Sequence, residues 1–312
     1  MSTDRRSPSP TRARSAVEHV QKSYEAGVTD EFVEPATIVG ADGTPIGALG
    51  DGDSVVFFNY RSDRARQLTR ALALDDFDGF ERQPHPKIFM TTMTAYDPTF
   101  TVPVVFPAQP LTARFGEVIA DLGLVNLRVA ETEKYAHVTY FFNCGIEKAY
   151  KGEDRILVPS QKVATYDLAP EMSATGICDT LVADVASRKH DVIICNFANA
   201  DMVGHTGKLE ATVQAVETLD LCLARIVKGV HEFRATLIVT SDHGNAEQMW
   251  DPIAKEPHTA HTSNPVPVIL VDGVKDMRLR DGGSLADVAP TMLGILGLEK
   301  PKEMTGTDLR IL

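Results

Sequence analysis

The sequence lacks the features that would place the protein in a membrane, outside the cell or on nucleic acid. No apolar run approaches the roughly 18–20 residues that a membrane-spanning helix needs, and no apolar segment near the N-terminus indicates a secretory signal. Acidic residues outnumber basic ones by 43 to 31, and this net charge of −12 argues against a nucleic-acid partner. Grouped Arg and Lys residues therefore carry weight, because an acidic protein that handles anions must collect its cations locally.

Cysteine is also scarce and scattered. The 312 residues contain 4 cysteines, with neither a CxxC pair nor a zinc-type spacing, at Cys144, Cys178, Cys195 and Cys222. Cys195 lies in an apolar run and is expected to be a buried thiol. Scattered thiols of this kind rarely form disulfides in a reducing compartment. We therefore expect a cytoplasmic protein.

Apolar runs that predict strands alternate with segments that predict helices. The predicted strands lie at 54–60, 87–93, 127–130, 138–143, 191–196, 235–240 and 266–271, and the predicted helices at 15–27, 61–72, 111–122, 174–187 and 208–230. Near-continuous Val, Ile and Leu runs separated by helices are typical of a largely parallel sheet with helices on both faces. The pattern predicts the α/β fold class.

The chain is long enough for one large or two ordinary domains. Residues 1–14 are polar and rich in Ser, Pro and Arg, and are predicted to form a disordered tail. A Pro-rich stretch at 102–110 indicates a crossing between domains. We therefore predict a first domain over 15–108 and a second over 109–312.

Five side chains of metal-binding type lie in the last third of the chain, at Asp201, His205, Asp242, His243 and His261. Each follows or borders a predicted strand, and loops at strand ends are where α/β enzymes place their chemistry. The first two are four residues apart, which puts both on one face of a helical turn. Taken singly, each cluster has an ordinary explanation as a helix cap, an Asx-turn or a polar loop. Together they predict a site for a pair of divalent ions such as Mn²⁺ or Zn²⁺.

Basic residues at two other predicted element ends are candidate anion ligands. Arg61 and Arg64 lie where a strand becomes a helix, and three residues apart they would share a helical face. Arginine binds carboxylate and phosphate through two parallel hydrogen bonds, whereas a cation at a helix start is otherwise unfavourable. Lys134 follows the predicted strand 127–130; alone it would be read as an ordinary surface lysine. No convincing nucleophile accompanies these residues, since Ser54 follows Asp-Gly-Asp in a predicted turn.

The sequence resembles the cofactor-independent (2,3-bisphosphoglycerate-independent) phosphoglycerate mutases. The resemblance rests on seven stretches, at 58–66 (FNYRSDRAR), 130–135 (AETEKY), 152–155 (GEDR), 165–174 (TYDLAPEMSA), 199–205 (NADMVGH), 241–247 (SDHGNAE) and 257–267 (PHTAHTSNPVP). It extends from about residue 15 to the C-terminus.

The resemblance implies an alkaline phosphatase-like domain with two metal ions and part of a second α/β domain, the substrate (transferase) domain. It also implies interconversion of 3-phosphoglycerate and 2-phosphoglycerate through a metal-activated serine, with manganese as the expected ion. The matched residues are Asp201, His205 and His261 for one metal, Asp242 and His243 for the other, and Arg61, Arg64 and Lys134 for the substrate. His258 matches no ligand.

Two motifs of that family are missing from the sequence. They are an N-terminal Asp-Gly metal ligand and the nucleophilic serine in a Ser-Glu-Val-Gly-His context; in addition, Cys144-Gly145 stands where Gly-Gly is expected. We therefore expect a C-terminal part of a mutase that is a poor catalyst alone. A truncated gene, a split enzyme with a second chain carrying the missing half, and a decayed copy all fit. A metal-dependent phosphohydrolase that uses bound water, or a non-catalytic metal-binding partner, are the alternatives.

Overall fold

The computed structural model describes residues 11–82, 85–107, 111–272 and 277–311. The chain divides into two compact units, Met1–Pro110 and Leu111–Leu312. This division lies two residues after the predicted domain boundary at 108. Within the described residues, no helix is both long and apolar enough to span a membrane.

The first unit is built on short parallel strands. Its elements are β1 Thr11–Ala13, α1 Ala16–Glu25, β2 Ala36–Ile38, β3 Ser54–Phe57, α2 Ala65–Ala73, β4 Phe89–Thr94 and β5 Val104–Phe106. The strands β3, β4 and β5 form one parallel sheet with β4 in the middle. Met90 and Met93 of β4 are buried together with Tyr96, so the middle strand carries the core of this unit.

The sequence predicted that residues 1–14 form a disordered tail. The structure contradicts this prediction for residues 11–13. They form β1, which pairs in parallel with β2 from Thr11↔Ala36 onwards, and the Arg12 guanidinium donates to the carbonyl oxygen of Gly43 at 3.3 Å. A strand pair is held by backbone hydrogen bonds, so a segment can join a sheet without apolar side chains. The remainder of the predicted tail, residues 1–10, lies outside the described residues.

The second unit has the predicted alternation of strands and helices. Its elements are α3 Phe115–Asp121, β6 Asn126–Glu131, β7 Glu153–Val158, α4 Ala174–Ser187, β8 Val192–Asn196, α5 Asn199–Gly204, α6 Leu209–Phe233, β9 Thr236–Thr240, β10 Trp250–Asp251, β11 Glu256–Pro257, β12 Val268–Asp272, β13 Arg278–Leu279, α7 Val288–Ile295 and β14 Arg310–Ile311. The order β7-β6-β8 forms a parallel sheet, whereas β9 pairs antiparallel with β12.

Strand β6 is buried along its whole length. Leu127 and Val129 point to one face and pack with Ile177 of α4 and Ile226 of α6. The opposite face is covered by α3 and α7, whose buried side chains join Val192 of β8 in a second cluster. Each fully buried Leu, Ile or Val contributes roughly 1.5–3 kcal/mol relative to exposure. The α/β class with helices on both faces of a mainly parallel sheet is therefore confirmed.

One predicted strand is helical. Residues 138–143 read as a strand because they are β-branched and aromatic, yet His137–Phe141 is a π-helical turn. Phe142 packs edge-to-face on Phe115 with ring centroids 6.0 Å apart, and the Thr139 hydroxyl donates to the carbonyl oxygen of Tyr135 at 2.8 Å. The prediction was wrong because packing against α3 outweighs the β-propensity of these side chains.

All four cysteines are free. Cys195 lies in β8, in the predicted apolar run, but is half-buried rather than fully buried. Burial of its sulfur raises the pKa of the thiol to about 12. Cys178 and Cys222 are buried in the core, and Cys144 is exposed.

Candidate metal centre

The ends of three strands deliver five of the six predicted site residues of the second unit, and the sixth, His261, lies in the loop between β11 and β12. Lys134 ends a 3-10 turn that follows β6 directly. Asp201 lies in α5, which follows β8, and His205 caps the end of that helix. Asp242 and His243 follow β9. Apolar strands thus end where the polar residues begin, as parallel α/β sheets arrange their functional loops.

Asp201, His205 and His261 form a compact triangle. The Oδ1 atom of Asp201 lies 3.1 Å from Nε2 of His205 and 2.9 Å from Nε2 of His261. The two Nε2 atoms are 3.0 Å apart. The helical spacing of Asp201 and His205 accounts for one side of this triangle, whereas His261 comes from a loop 60 residues away in sequence.

A backbone contact fixes the orientation of His205. Its Nδ1 lies 2.6 Å from the carbonyl oxygen of Thr259. Because a carbonyl oxygen can only accept, Nδ1 carries a proton, and Nε2 is the ring nitrogen that faces Asp201 and His261. Metal-binding histidines commonly show this arrangement, in which the second ring nitrogen donates to a carbonyl or carboxylate. Thr259 belongs to the same loop as His261, so this bond also ties that loop to α5.

The donor set fits a divalent metal ion. One carboxylate and two imidazoles are ligands for Mn²⁺ and Zn²⁺. Ligand atoms about 2.1 Å from a common ion lie about 3.0–3.4 Å from one another, and the three atoms here are 2.9–3.1 Å apart. Among the described residues, Asp201, His205 and His261 are the three histidine or carboxylate side chains whose ligand atoms lie close enough together to share one ion.

The two remaining predicted ligands border this triangle. The ring of His243 stacks on that of His261, with centroids 3.7 Å apart and planes inclined by 22°. Its Nε2 lies 3.4 Å from Oδ2 of Asp242 and 4.0 Å from Oδ1 of Asp201. Asp242 is exposed, and a cavity of about 670 Å³ opens beside it, lined also by Thr262, Asn264 and Arg280 among others.

Lys134 is buried and faces the same carboxylate. Its Nζ donates to Oδ2 of Asp201 at 2.5 Å, while Oδ1 of Asp201 faces the histidines. Burial alone would raise the pKa of Asp201, but the hydrogen bonds from His205 and Lys134 outweigh it and hold this pKa well below its usual value. Burial, followed by the charge of His243, lowers the pKa of His261. The carboxylate is thus ionised and His261 favours its neutral, metal-binding form.

Sequence reasoning missed the residues that hold these loops together. Asn245 Nδ2 lies 3.4 Å from Oδ1 of Asp201. Glu247 accepts hydrogen bonds from the backbone N–H of Asn245 at 2.6 Å, from Nδ2 of Asn264 at 2.9 Å and from the Thr262 hydroxyl. The loop after β9 is thereby tied to the loop that carries His261. The stretch 241–247 is one of the family-like motifs, but nothing in its spacing indicates these bonds.

Gly204 marks how closely α5 approaches the loop after β9. A Cβ atom at Gly204 would overlap the Asn245 side chain, which is buried. A glycine here therefore has a steric reason: it lets the helix that carries Asp201 lie against the loop that carries His243.

Arg61 and Arg64 lie in the first unit. Helix α2 begins at Ala65 with Arg64 as its N-cap, so Arg61 precedes the helix and the predicted shared helical face does not exist. The backbone N–H of Arg61 donates to Oδ1 of Asn59 at 2.8 Å, and its guanidinium lies 3.4 Å from Asp63. The asparagine and aspartate side chains stabilise a turn here in place of the first helical turn. Both arginines are exposed.

Two family models match this chain. The model of the metalloenzyme superfamily matches residues 105–300, and the model described as the BPG-independent phosphoglycerate mutase N-terminus matches residues 3–98. The chain belongs to the BPG-independent phosphoglycerate mutase family of the metalloenzyme superfamily. The resemblance seen in the sequence is thereby confirmed, and a divalent metal is the expected cofactor of such a protein.

Curated relatives of the mutase family are similar over almost the whole chain. A 2,3-bisphosphoglycerate-independent phosphoglycerate mutase 2 of Methanosarcina acetivorans is 52% identical over 300 residues, which cover 96% of this chain and 57% of the relative. A mutase of Moorella thermoacetica is 55% identical over 300 residues, covering 96% and 58% respectively. The chain thus spans somewhat more than half the length of these relatives.

A solved structure shows the same fold. The phosphoglycerate mutase of Leishmania mexicana, determined at low cobalt concentration, matches with a TM-score of 0.85 and 32% sequence identity. The match covers 97% of this chain and 59% of the other.

Proposed function

We propose that the chain supplies the metal centre and part of the substrate site of a mutase that interconverts 3-phosphoglycerate and 2-phosphoglycerate. The observation that carries this proposal is the triangle of Asp201, His205 and His261 with the buried Lys134 on the same carboxylate. It stands in a chain about half identical to named phosphoglycerate mutases. On the same basis, we propose that the protein is cytoplasmic. We also propose that residues 15–108 are part of the substrate (transferase) domain and that residues 109–312 form the metal-binding domain.

We propose two Mn²⁺ ions as the cofactors. Asp201, His205 and His261 would hold one, and Asp242 with His243 would supply the protein ligands of the other. Bound divalent ions lower the pKa of a coordinated hydroxyl and neutralise phosphoryl oxygens. The second pair alone is too few ligands for a closed site, so further ligands must come from elsewhere.

The protein's own cations would hold the substrate. Lys134 places an ammonium group inside the site. Once a metal ion neutralises Asp201, Nζ of Lys134 would be available to a phosphoryl oxygen of the substrate. Arg61 and Arg64 present exposed guanidinium groups that match carboxylate or phosphate bidentately. Holding glycerate between two transfers requires such fixed contacts, because an intermediate that escapes cannot be rephosphorylated.

The proposed reaction needs a nucleophilic serine, and the Ser-Glu-Val-Gly-His context of the family does not occur in the 312 residues. Ser241, beside the metal-type residues, donates its hydroxyl to the carbonyl oxygen of His243 at 2.6 Å. We therefore propose that the 312-residue chain binds metal but interconverts the two phosphoglycerates only slowly on its own. Full activity would require a segment that carries the missing serine motif, for example on the second chain of a split enzyme.

The test is manganese binding and isomer exchange measured on the same samples. The 312-residue chain should bind Mn²⁺ by calorimetry, and Asp201→Asn should abolish binding at the first site while the fold is retained. Exchange between the two phosphoglycerates should be weak for the chain alone and restored by adding a polypeptide that contains the serine motif. Release of inorganic phosphate without exchange would instead indicate a phosphohydrolase, and unchanged metal binding by Asp201→Asn would overturn the site assignment.

A further inference from the structure

A second polar cluster lies in the core of the metal-binding unit, on the face of β6 that packs under the π-helical turn His137–Phe141. Its central residue is Arg128, which is fully buried. Its Nε donates to Oδ1 of Asn126 at 2.8 Å, and its guanidinium carbon lies 4.3 Å from the centre of the Phe142 ring. The Phe142 ring thus makes a cation–π contact with the guanidinium.

Several donors of this cluster have no acceptor in the part of the chain that the structure describes. Among the described residues, nothing accepts a hydrogen bond from Nη1 or Nη2 of Arg128 or from Nδ2 of Asn126. Arg155, which is paired opposite Arg128 on β7, has an Nη2 in the same condition. Buried donors are almost always paired, and an unpaired charged group is the most costly exception.

The charges in the cluster do not balance. Two arginines lie opposite each other on adjacent strands, where like charges are unfavourable. The carboxylate beside them, Glu153, already accepts from Arg155 Nε at 2.6 Å and from Asn143 Nδ2 at 2.9 Å. One positive charge is therefore left over. Burial, the largest effect, lowers the pKa of Arg128 to about 10, which leaves it protonated at neutral pH.

We propose that β6, β7 and the π-helical turn enclose a binding site for a small monovalent anion, such as chloride, held by Arg128 and Asn126. The single negative charge of such an anion would balance the one positive charge of Arg128 and Arg155 that Glu153 leaves unpaired. The complete burial of Arg128 favours an ion that loses its hydration easily over a phosphate. The site is distinct from the metal centre and does not depend on the proposed mutase activity.

The test compares halide with a bulky anion in the metal-free chain. Thermal unfolding is followed from about 10 to 300 mM sodium bromide and in sodium gluconate of the same ionic strength. A ligand that binds only the folded state raises the melting temperature in a saturable way, here by about 4 °C. Bromide should give this rise and gluconate should not. Arg128→Met should lose the difference, whereas Arg225→Met, at an exposed arginine paired with Asp179 on α4, should keep it.

Bromide anomalous diffraction from the unmodified protein keeps the proposal testable even if Arg128→Met does not fold. A peak within hydrogen-bond distance of Nη1 or Nη2 of Arg128 is the expected result. Equal melting temperatures in the two salts, ordered water alone at these atoms, or a carboxylate from another polypeptide segment in their place would each overturn it.

Discussion

Replacing Glu247 by alanine should weaken metal binding although Glu247 is not a proposed ligand. Its carboxylate accepts three hydrogen bonds, from Asn245, Asn264 and Thr262, and so holds the loop after β9 against the loop that carries His261. Without it, the two loops can move independently. The ligand atoms would then no longer be held at the 2.9–3.1 Å separations that suit one ion.

The size of the effect follows from those three bonds. A hydrogen bond to a charged group contributes about 1.5–3 kcal/mol when buried, but Glu247 is exposed, so we take about 0.7 kcal/mol for each and about 2 kcal/mol in total. If the whole loss falls on the metal-bound form, the dissociation constant rises about 30-fold. Loss of a partner outside the ligand shell typically costs 10–100-fold in metal affinity, which is the same range.

Calorimetric titration with MnCl₂ measures this directly. Glu247→Gln keeps one acceptor oxygen and should fall between the wild type and Glu247→Ala. Glu256→Ala, at an exposed residue of β11, is the matched control and should bind within about twofold of the wild type. If Glu247→Ala also binds within twofold while remaining folded, the loops are not held by this carboxylate and the reasoning fails.

Three further changes probe the charges and the packing around the site. Lys134→Met removes the cation that competes for Asp201, so calorimetry should show Mn²⁺ binding several-fold more tightly while the metal-free protein melts at a lower temperature. Gly204→Ala should destabilise the protein by about 1–3 kcal/mol in urea unfolding because its Cβ overlaps a buried amide, whereas Gly229→Ala, in a helix with open space at that position, should stabilise it by about 0.5–1 kcal/mol. Burial raises the pKa of Glu131, so the folded state favours the protonated form of this side chain and loses stability as pH rises above the unfolded pKa of about 4.3. Glu131→Gln should therefore raise the melting temperature at pH 7 but not at pH 4. An equal rise at both pH values would contradict this reasoning.

The sequence was sufficient for features that depend on local spacing. Apolar runs predicted β6, β8 and β9, and the four-residue spacing of Asp201 and His205 predicted that they share a helical face, which the structure shows. Predictions failed where packing or side-chain bonds decide the local structure. The π-helical turn has the composition of a strand, and helix α2 begins four residues late because Asn59 and Asp63 cap a turn before it.

Contacts between distant segments were beyond sequence reasoning for a different reason. Lys134 and Asp201 are separated by 67 residues, and their pairing depends on β6 and β8 being neighbours in the sheet. The Glu247 bonds depend on the loop after β9 meeting the loop that carries His261. Spacing along the chain says nothing about such meetings, although Asp201 and His243 do follow strands, and Nε2 of His243 lies 4.0 Å from Oδ1 of Asp201.

The ion pair between Lys134 and Asp201 explains how the metal centre can be assembled before any ion binds. A buried carboxylate needs a partner, and removing one member of a buried pair typically costs 3–5 kcal/mol. Lys134 satisfies one oxygen of Asp201 at 2.5 Å, and the Thr259 carbonyl independently orients His205. The ligands are therefore positioned by the protein itself, unlike those of small zinc domains that fold only with their metal. Oδ1 of Asp201 and the two Nε2 atoms, which would hold the cation, already lie about 3 Å apart, so metal binding would not have to supply the energy of folding the loops.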